Sequence, residues 1–204
     1  MISQILPAVG VHLQITFIGV VLGTLLGVPL GSVMVKTPKT SRFVFAIVDV
    51  IQTIPILAMF TFLMFLFGLN NNTVIATIFL YSLFPIVRNT YTGIKSVDAG
   101  ILRAGQGIGM TNLQLYRMVQ LPIAMPLVLS GVRLAIITGL GIATTGVLIG
   151  AGGLGMLVWR GIQTRNTVMI LSGAIPVSLL AVFFDVFLTR LEKIWSNKSN
   201  QTKK

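Results

Sequence analysis

Apolar residues in this chain fall in long unbroken runs, not in the alternation of a strand or the single stripe of a surface helix. Five runs are long enough to cross a bilayer core, which takes about 20 residues. They cover roughly residues 12–35, 43–68, 73–94, 123–150 and 168–188. A polar loop, 95–122, separates the third run from the fourth, and a basic tail, 190–204, follows the fifth. The pattern predicts an all-α polytopic membrane protein with five transmembrane helices in one domain, 1–204. The first run is long enough to be a span, and it lacks the basic leader and cleavage site of a signal peptide.

The polar loop carries the densest local signals. Its core is RAGQGIGMTNLQLYRMVQLP, from Arg103 to Pro122. A Gly-rich first half ends at Gly109, where backbone angles that other residues avoid become available. Thr111-Asn112-Leu113-Gln114 follows the capping-box pattern, in which hydroxyl and amide satisfy each other's free backbone N–H groups. Pro122 is expected to stop the helix so begun, since it cannot continue the hydrogen-bond ladder. A short capped helix with basic ends between two apolar spans reads as a docking element.

Composition agrees with a membrane protein and narrows the chemistry. The chain is 54% hydrophobic and 9% charged, with a net charge of +11. Without cysteine, thiol catalysis, disulfides and Cys-based metal clusters are excluded, and one histidine, His12, makes no metal site. His12 falls at the outer end of the first run, where an interfacial position is expected. Four acids are too scattered for a paired-carboxylate site, and no His lies near a plausible Ser or Thr nucleophile. No catalytic residue, metal or cofactor is expected.

The excess of Lys and Arg sets an orientation, because basic loops stay on the cytoplasmic side. With the N-terminus outside, the inner side receives Lys36, Lys39, Arg42, Arg88, Lys95, Arg103, Arg117 and Arg133. It also receives Arg190, Lys193, Lys198, Lys203 and Lys204, leaving Arg160 and Arg165 outside. An N-out, C-in topology follows, with the capped loop in the cytoplasm. The high pI then needs no nucleic acid.

Within the spans, small residues recur every fourth position. Gly19, Gly23, Gly27 and Gly31 mark the first run, and Gly131, Ala135, Gly139 and Ala143 the fourth. Such faces let another helix approach closely in lipid, and they predict a compact bundle with a second copy or partner. Pro29, Pro55, Pro85 and Pro176 lie inside spans and are expected to bend them. Asp49, Arg88 and Arg133 lie at matching depths near the cytoplasmic side, a possible gate; intramembrane charges call for partners, and Asp49 is expected to pair with Arg88 or with Arg133. Asp185, near Arg190, is expected to snorkel at a helix end. The run from Gly150 through Gly152 and Gly153 to Gly155 fits G-x-G-x-x-G. It follows a membrane span and not a strand, so a flexible external turn at an extracellular mouth is expected instead of a nucleotide site. No G-x-x-x-x-G-K-[ST] phosphate loop is present.

The polar loop resembles one found in permease subunits of binding-protein-dependent ABC importers: E-A-A, three residues, G, nine residues, I-x-L-P. Here Ala104-Gly105, Gly109 and Val119-Gln120-Leu121-Pro122 keep that spacing. Arg103 stands at the usual Glu, Gly105 at the second Ala and Val119 at the Ile. Gln52-Thr53-Ile54-Pro55, Phe84-Pro85-Ile86-Val87-Arg88-Asn89-Thr90-Tyr91, Gly107-Ile-Gly-Met-Thr111, Leu121-Pro-Ile-Ala-Met-Pro126, Gly131-Val-Arg-Leu-Ala135 and Ile149-Gly-Ala-Gly-Gly-Leu-Gly155 are similar to the branch importing glycine betaine, choline, carnitine and related osmoprotectants. The resemblance implies a MetI-like bundle of type I importers, a second permease copy or paralogue, and an external substrate-binding protein. It also implies a separate ATPase dimer that holds ATP and Mg²⁺. The coupling residues it implies are Arg103, Ala104, Gly105, Gly109, Met110, Thr111, Leu113, Gln114, Tyr116, Val119, Leu121 and Pro122. The same machinery carrying another small polar solute, or a non-transporting subunit of a membrane complex, remains the alternative.

Overall fold

The computed structural model describes residues 2–201, and every element in it is helical. In chain order these are α1 (Ile2–Met34), α2 (Pro38–Thr53), α3 (Ile56–Phe67), α4 (Asn71–Lys95) and α5 (Ala99–Gly107). A single turn, α6 (Asn112–Gln114), leads through the π-helical stretch Leu115–Gln120 into α7 (Leu121–Thr145) and a closing 3-10 turn, Gly146–Ile149. The chain ends in α8 (Gly155–Gln163) and α9 (Thr167–Gln201). Among the described residues four helices are long and apolar enough to cross a membrane, and the bent pair α2–α3, taken as one span, makes a fifth.

The second span is therefore not one helix over 43–68. Pro55 has no N–H and its ring forces the preceding residue out of the helical region, and Ile54 is extended at φ −68°, ψ 126°. The two halves turn by 102°. The carbonyl left free at Ile54 is taken by the Tyr81 hydroxyl, which donates to it from α4. Other boundaries also move. α1 starts well before residue 12, and α9 continues far beyond 188, so the tail is helical as far as Gln201. Lys203 and Lys204 lie outside the described residues.

α4 is the axis of the bundle. Of its most apolar stretch 61% is buried, against 6% for α9. Asn70 opens it by accepting the Asn72 N–H at 2.7 Å. The four glycines of the α1 repeat face it: a methyl group on Gly23 would lie 1.8 Å from Ser82 Oγ, and one on Gly31 would lie 2.8 Å from the Val87 carbonyl. Gly19 and Gly27 meet Ile78 and Ile86 in the same way. From α7, a carbon added to Gly131 would lie 2.8 Å from the Pro85 carbonyl, and one on Gly139 would lie 3.2 Å from Ile78. Both small-residue faces are thus helix-packing seams within one chain, and both close on α4. Ile15, Val74, Ile78, Ile86, Ala135 and Leu140 form the resulting core.

His12 is fully buried inside the bundle, where an interfacial side chain was expected. α1 reaches one helical segment further than its apolar pattern shows, which draws His12 inward beside Gly153.

These contacts predict which glycines resist a methyl group. Gly31→Ala and Gly131→Ala each set a carbon against a backbone carbonyl and are expected to destabilise by about 1–3 kcal/mol, as overpacking does. Gly141, with nothing within 4 Å of an added carbon, should tolerate Ala without loss. Thermal melts of the detergent-solubilised chain check the contrast.

Candidate functional site

Asp98 starts the polar loop by accepting the backbone N–H groups of Gly100 and Ile101 at 2.6 and 3.2 Å, capping α5. α5 carries Arg103, Ala104 and Gly105 and closes as the Met110 N–H returns to the Gly105 carbonyl at 3.1 Å. That return needs a left-handed residue, and Gly109 supplies it at φ +84°. Thr111 then opens α6. Its N–H donates to Gln114 Oε1 at 2.8 Å, and the Gln114 N–H donates to Thr111 Oγ1 at 3.3 Å, so the capping box forms.

Two contacts hold this helix–turn–helix in shape. Leu115 is buried and rests on Gly105, where an added carbon would lie 2.6 Å from Leu115 Cδ1 and 3.2 Å from Met110 Sδ. An alanine at 105 would push Leu115 away, which accounts for glycine there. Tyr116 reaches α1, its hydroxyl 3.0 Å from Ser32 Oγ. Ser32 already donates to the Val28 carbonyl at 2.7 Å, so Tyr116 is the donor. Leu115 was not among the expected coupling residues. Its signal was nonetheless local: an apolar residue before the cap and another at the fourth helical position, here Met110 and Leu115, form a hydrophobic staple.

Pro122 does not stop the helix. Gln120 and Leu121 both have right-handed helical angles, and helix runs on from Asn112 to Ile149. The wider π turn at Leu115–Gln120 displaces the carbonyl that the proline ring would otherwise strike. On the outer surface Ile108 is 81% exposed, Met118 67% and Leu113 56%. Three large apolar side chains on so polar a loop make an unpartnered contact surface. Arg103 is exposed there and forms no ion pair among the described residues. Val119 and Leu121 are half-buried at the base of the rod.

The intramembrane charges sort into two sets. Arg88 of α4 holds Asp49 of α2, with Nη2 at 2.7 and 2.6 Å from the two carboxylate oxygens and Nε at 3.3 Å from Oδ1. Arg133 of α7 instead faces α9, at 3.0 Å from Asp185 Oδ1, Thr189 Oγ1 and Glu192 Oε1. Asp185 therefore bridges to α7 and does not snorkel at its helix end. Among the described residues Asp49 and Arg133 form no ion pair with each other; α4 packs on both α2 and α7.

The Gly150–Gly155 turn is packed down, not loose. Ala151 and Leu154 are buried. The Gly152 N–H donates to Asn71 Oδ1 at 2.9 Å, while Gly150 and Gly153 take φ +77° and +103°. A carbon on Gly155 would lie 2.1 Å from the Thr144 carbonyl, so only glycine lets α8 start against α7.

Residues 15–196 match a protein family described as the inner membrane component of binding-protein-dependent transport systems. The chain is 45% identical to the glycine betaine/carnitine/choline transport system permease protein OpuCD of Bacillus subtilis, over 91% of this chain and 81% of that one. It is 44% identical to the choline transport system permease protein OpuBD of the same organism, over 95% and 86%. A structure of the MetNI methionine ABC transporter in an inward-facing conformation superposes with a TM-score of 0.83, covering 93% of this chain and 95% of that one at 22% identity. That likeness is one of fold.

A double-mutant cycle separates the charge pairs. Asp49→Asn with Arg88→Gln should show a coupling energy of about 0.5–1 kcal/mol in melts of the purified chain, scaled for a half-exposed pair. Asp49→Asn with Arg133→Gln should be additive.

Proposed function

The chain belongs to the family of inner membrane components of binding-protein-dependent transport systems, and from that membership we propose that it is one half of a permease pair importing a quaternary-ammonium osmoprotectant. The observation that carries the substrate class is the 45% identity, over nearly the whole chain, to a relative named for glycine betaine, carnitine and choline transport. The N-terminus lies outside and the loop 95–122 inside, as the distribution of Lys and Arg favours. ATP and Mg²⁺ belong to two ATPase subunits beneath the pair, and an external binding protein delivers the solute toward the Gly150–Gly155 turn.

On this reading the exposed Ile108, Leu113 and Met118 enter a groove on the ATPase, the helix-in-groove mode of recognition. Closure of the ATPase dimer displaces the loop. Because α6, the π turn and α7 form one rod from Asn112 to Ile149, that displacement is delivered to the middle of the bundle as a rigid-body shift. Tyr116 on Ser32 carries the same shift to α1.

In proteoliposomes holding the permease pair, ATPase and binding protein, uptake of labelled glycine betaine should require all components and ATP. Uptake that persists without the ATPase counts against the importer reading. A Gly109→Val chain should insert normally yet lose uptake, since a β-branched residue at φ +84° is strained by about 1–2 kcal/mol and the α5–α6 turn opens. Wild-type uptake by that variant would remove the Gly109 turn from the coupling path.

A further inference from the structure

The guanidinium of Arg88 is held by more than Asp49. Its Cζ lies 5.1 Å from the centre of the Phe45 ring and 5.0 Å from that of Phe84, so a cation rests between one aromatic face from α2 and one from α4, with a carboxylate beside it. Phe45 meets Tyr91 edge-on at 5.0 Å. Lys95 Nζ lies 5.3 Å over the Tyr91 ring and 3.3 Å from its hydroxyl. Phe84, Arg88, Tyr91 and Lys95 follow one face of α4, at spacings of four, three and four residues. Aromatic rings and cations therefore alternate along the last three turns of the helix.

This face is open. The side chains of Arg88 and Asp49 are 45% and 41% exposed, and a cavity of about 230 Å³ lies against Arg88, bordered by Asn89, Thr92, Phe45 and Tyr91. Arg88 is seven residues from Lys95 at the end of α4, about 10 Å along the axis. A charge at that depth faces a water-filled path or a polar partner, not lipid tails.

We infer that Phe45, Phe84 and Asp49 form a binding station for the cationic head of a quaternary-ammonium zwitterion on the transport path, and that Arg88 is its resident substitute. The inference rests on the substrate class proposed above. Aromatic faces and a carboxylate are what an alkylammonium needs, and no water-stripped hydrogen bond is asked of a head that has no N–H. When such a solute enters, its ammonium takes the place of the guanidinium between the rings, and the released Arg88 turns to the solute's carboxylate. With betaine the exchange keeps every charge paired, so Asp49 is never left as an uncompensated intramembrane carboxylate, and the solute takes over the bridge between α2 and α4 that Arg88 supplies in its absence.

The test uses the assembled complex in proteoliposomes, with uptake of labelled glycine betaine and of choline measured per amount of assembled permease. Phe45→Leu with Phe84→Leu keeps the apolar bulk and removes the ring faces, and should lower uptake of both solutes about tenfold, consistent with the loss of two cation–π contacts. Phe45→Tyr with Phe84→Tyr should stay within about twofold of wild type. Arg88→Gln removes the partner of a carboxylate that betaine has and choline lacks, so betaine uptake should fall about tenfold more than choline uptake. Equal uptake by the Leu and Tyr pairs, or an unchanged betaine-to-choline ratio in Arg88→Gln, overturns the station while leaving the importer reading intact. A seam between permease copies would show itself in that way, with less complex recovered and the ratio at its wild-type value. A wild-type complex that takes up neither solute overturns the substrate class, and the station with it.

Discussion

Among lipid tails two helices gain little by burying leucines against each other, because the tails already surround apolar side chains as well as protein does. What holds helices together there is close packing, and that requires small residues. α4 is gripped in this way from two sides, by Gly19, Gly23, Gly27 and Gly31 of α1 and by Gly131 and Gly139 of α7. The approach is close enough for glycine carbons to oppose backbone carbonyls of α4, at Val87 and at Pro85. Every other feature is positioned by this grip. It sets the rotation of α4 and so the face on which Phe84, Arg88, Tyr91 and Lys95 stand, and it fixes α7, the upper part of the rod that leads to the polar loop.

The polar groups inside the bundle are economical. The chain has four acids, and each is committed. Asp49 holds Arg88, Asp185 and Glu192 hold Arg133, and Asp98 caps α5. The backbone break at Pro55 is likewise answered by a side chain, Tyr81. Buried or half-buried polar atoms in an apolar setting are expensive unless paired, and so few residues can serve only if the helices bring them together in one arrangement. The two arginine clusters tie different pairs, α2 to α4 and α7 to α9. A movement of α2 can therefore break the first without disturbing the second.

The helix–turn–helix of the polar loop is rigid within itself and joined to the bundle at both ends. Its first half ends in a left-handed glycine, its second half starts with a reciprocal cap, and Leu115 packs one half on the other over Gly105. The π turn then passes the helix into α7 without a break. π turns hold their excess residue at some energetic disadvantage and tend to persist where they serve a function. Here one lets Pro122 sit inside a continuous rod from Asn112 to Ile149.

The features readable from the amino-acid order were those that depend on near neighbours. Apolar runs announced the spans, the four-residue glycine period announced two close-packing faces, and Thr111 with Gln114 and glycine at 109 announced the cap and the turn. Pro55 marked a bend. Features that depend on how one helix is rotated against another were not readable. Which helix the glycine faces would meet was one of these, and both met α4. Arg88 and Arg133 lie at similar depths, and only the packing of α2 on α4 and α7 on α9 assigned their partners. Pro122 reads locally as a stop, but a π turn whose stability comes from Leu115 and Tyr116 contacts carried the helix through it. The turn at Gly150–Gly155 looked loose because glycine is permissive, and became tight because Asn71, His12 and Thr144 close around it. Short-range hydrogen bonding and hydropathy are written along the chain, whereas rotation and depth are settled by which surfaces can approach most closely.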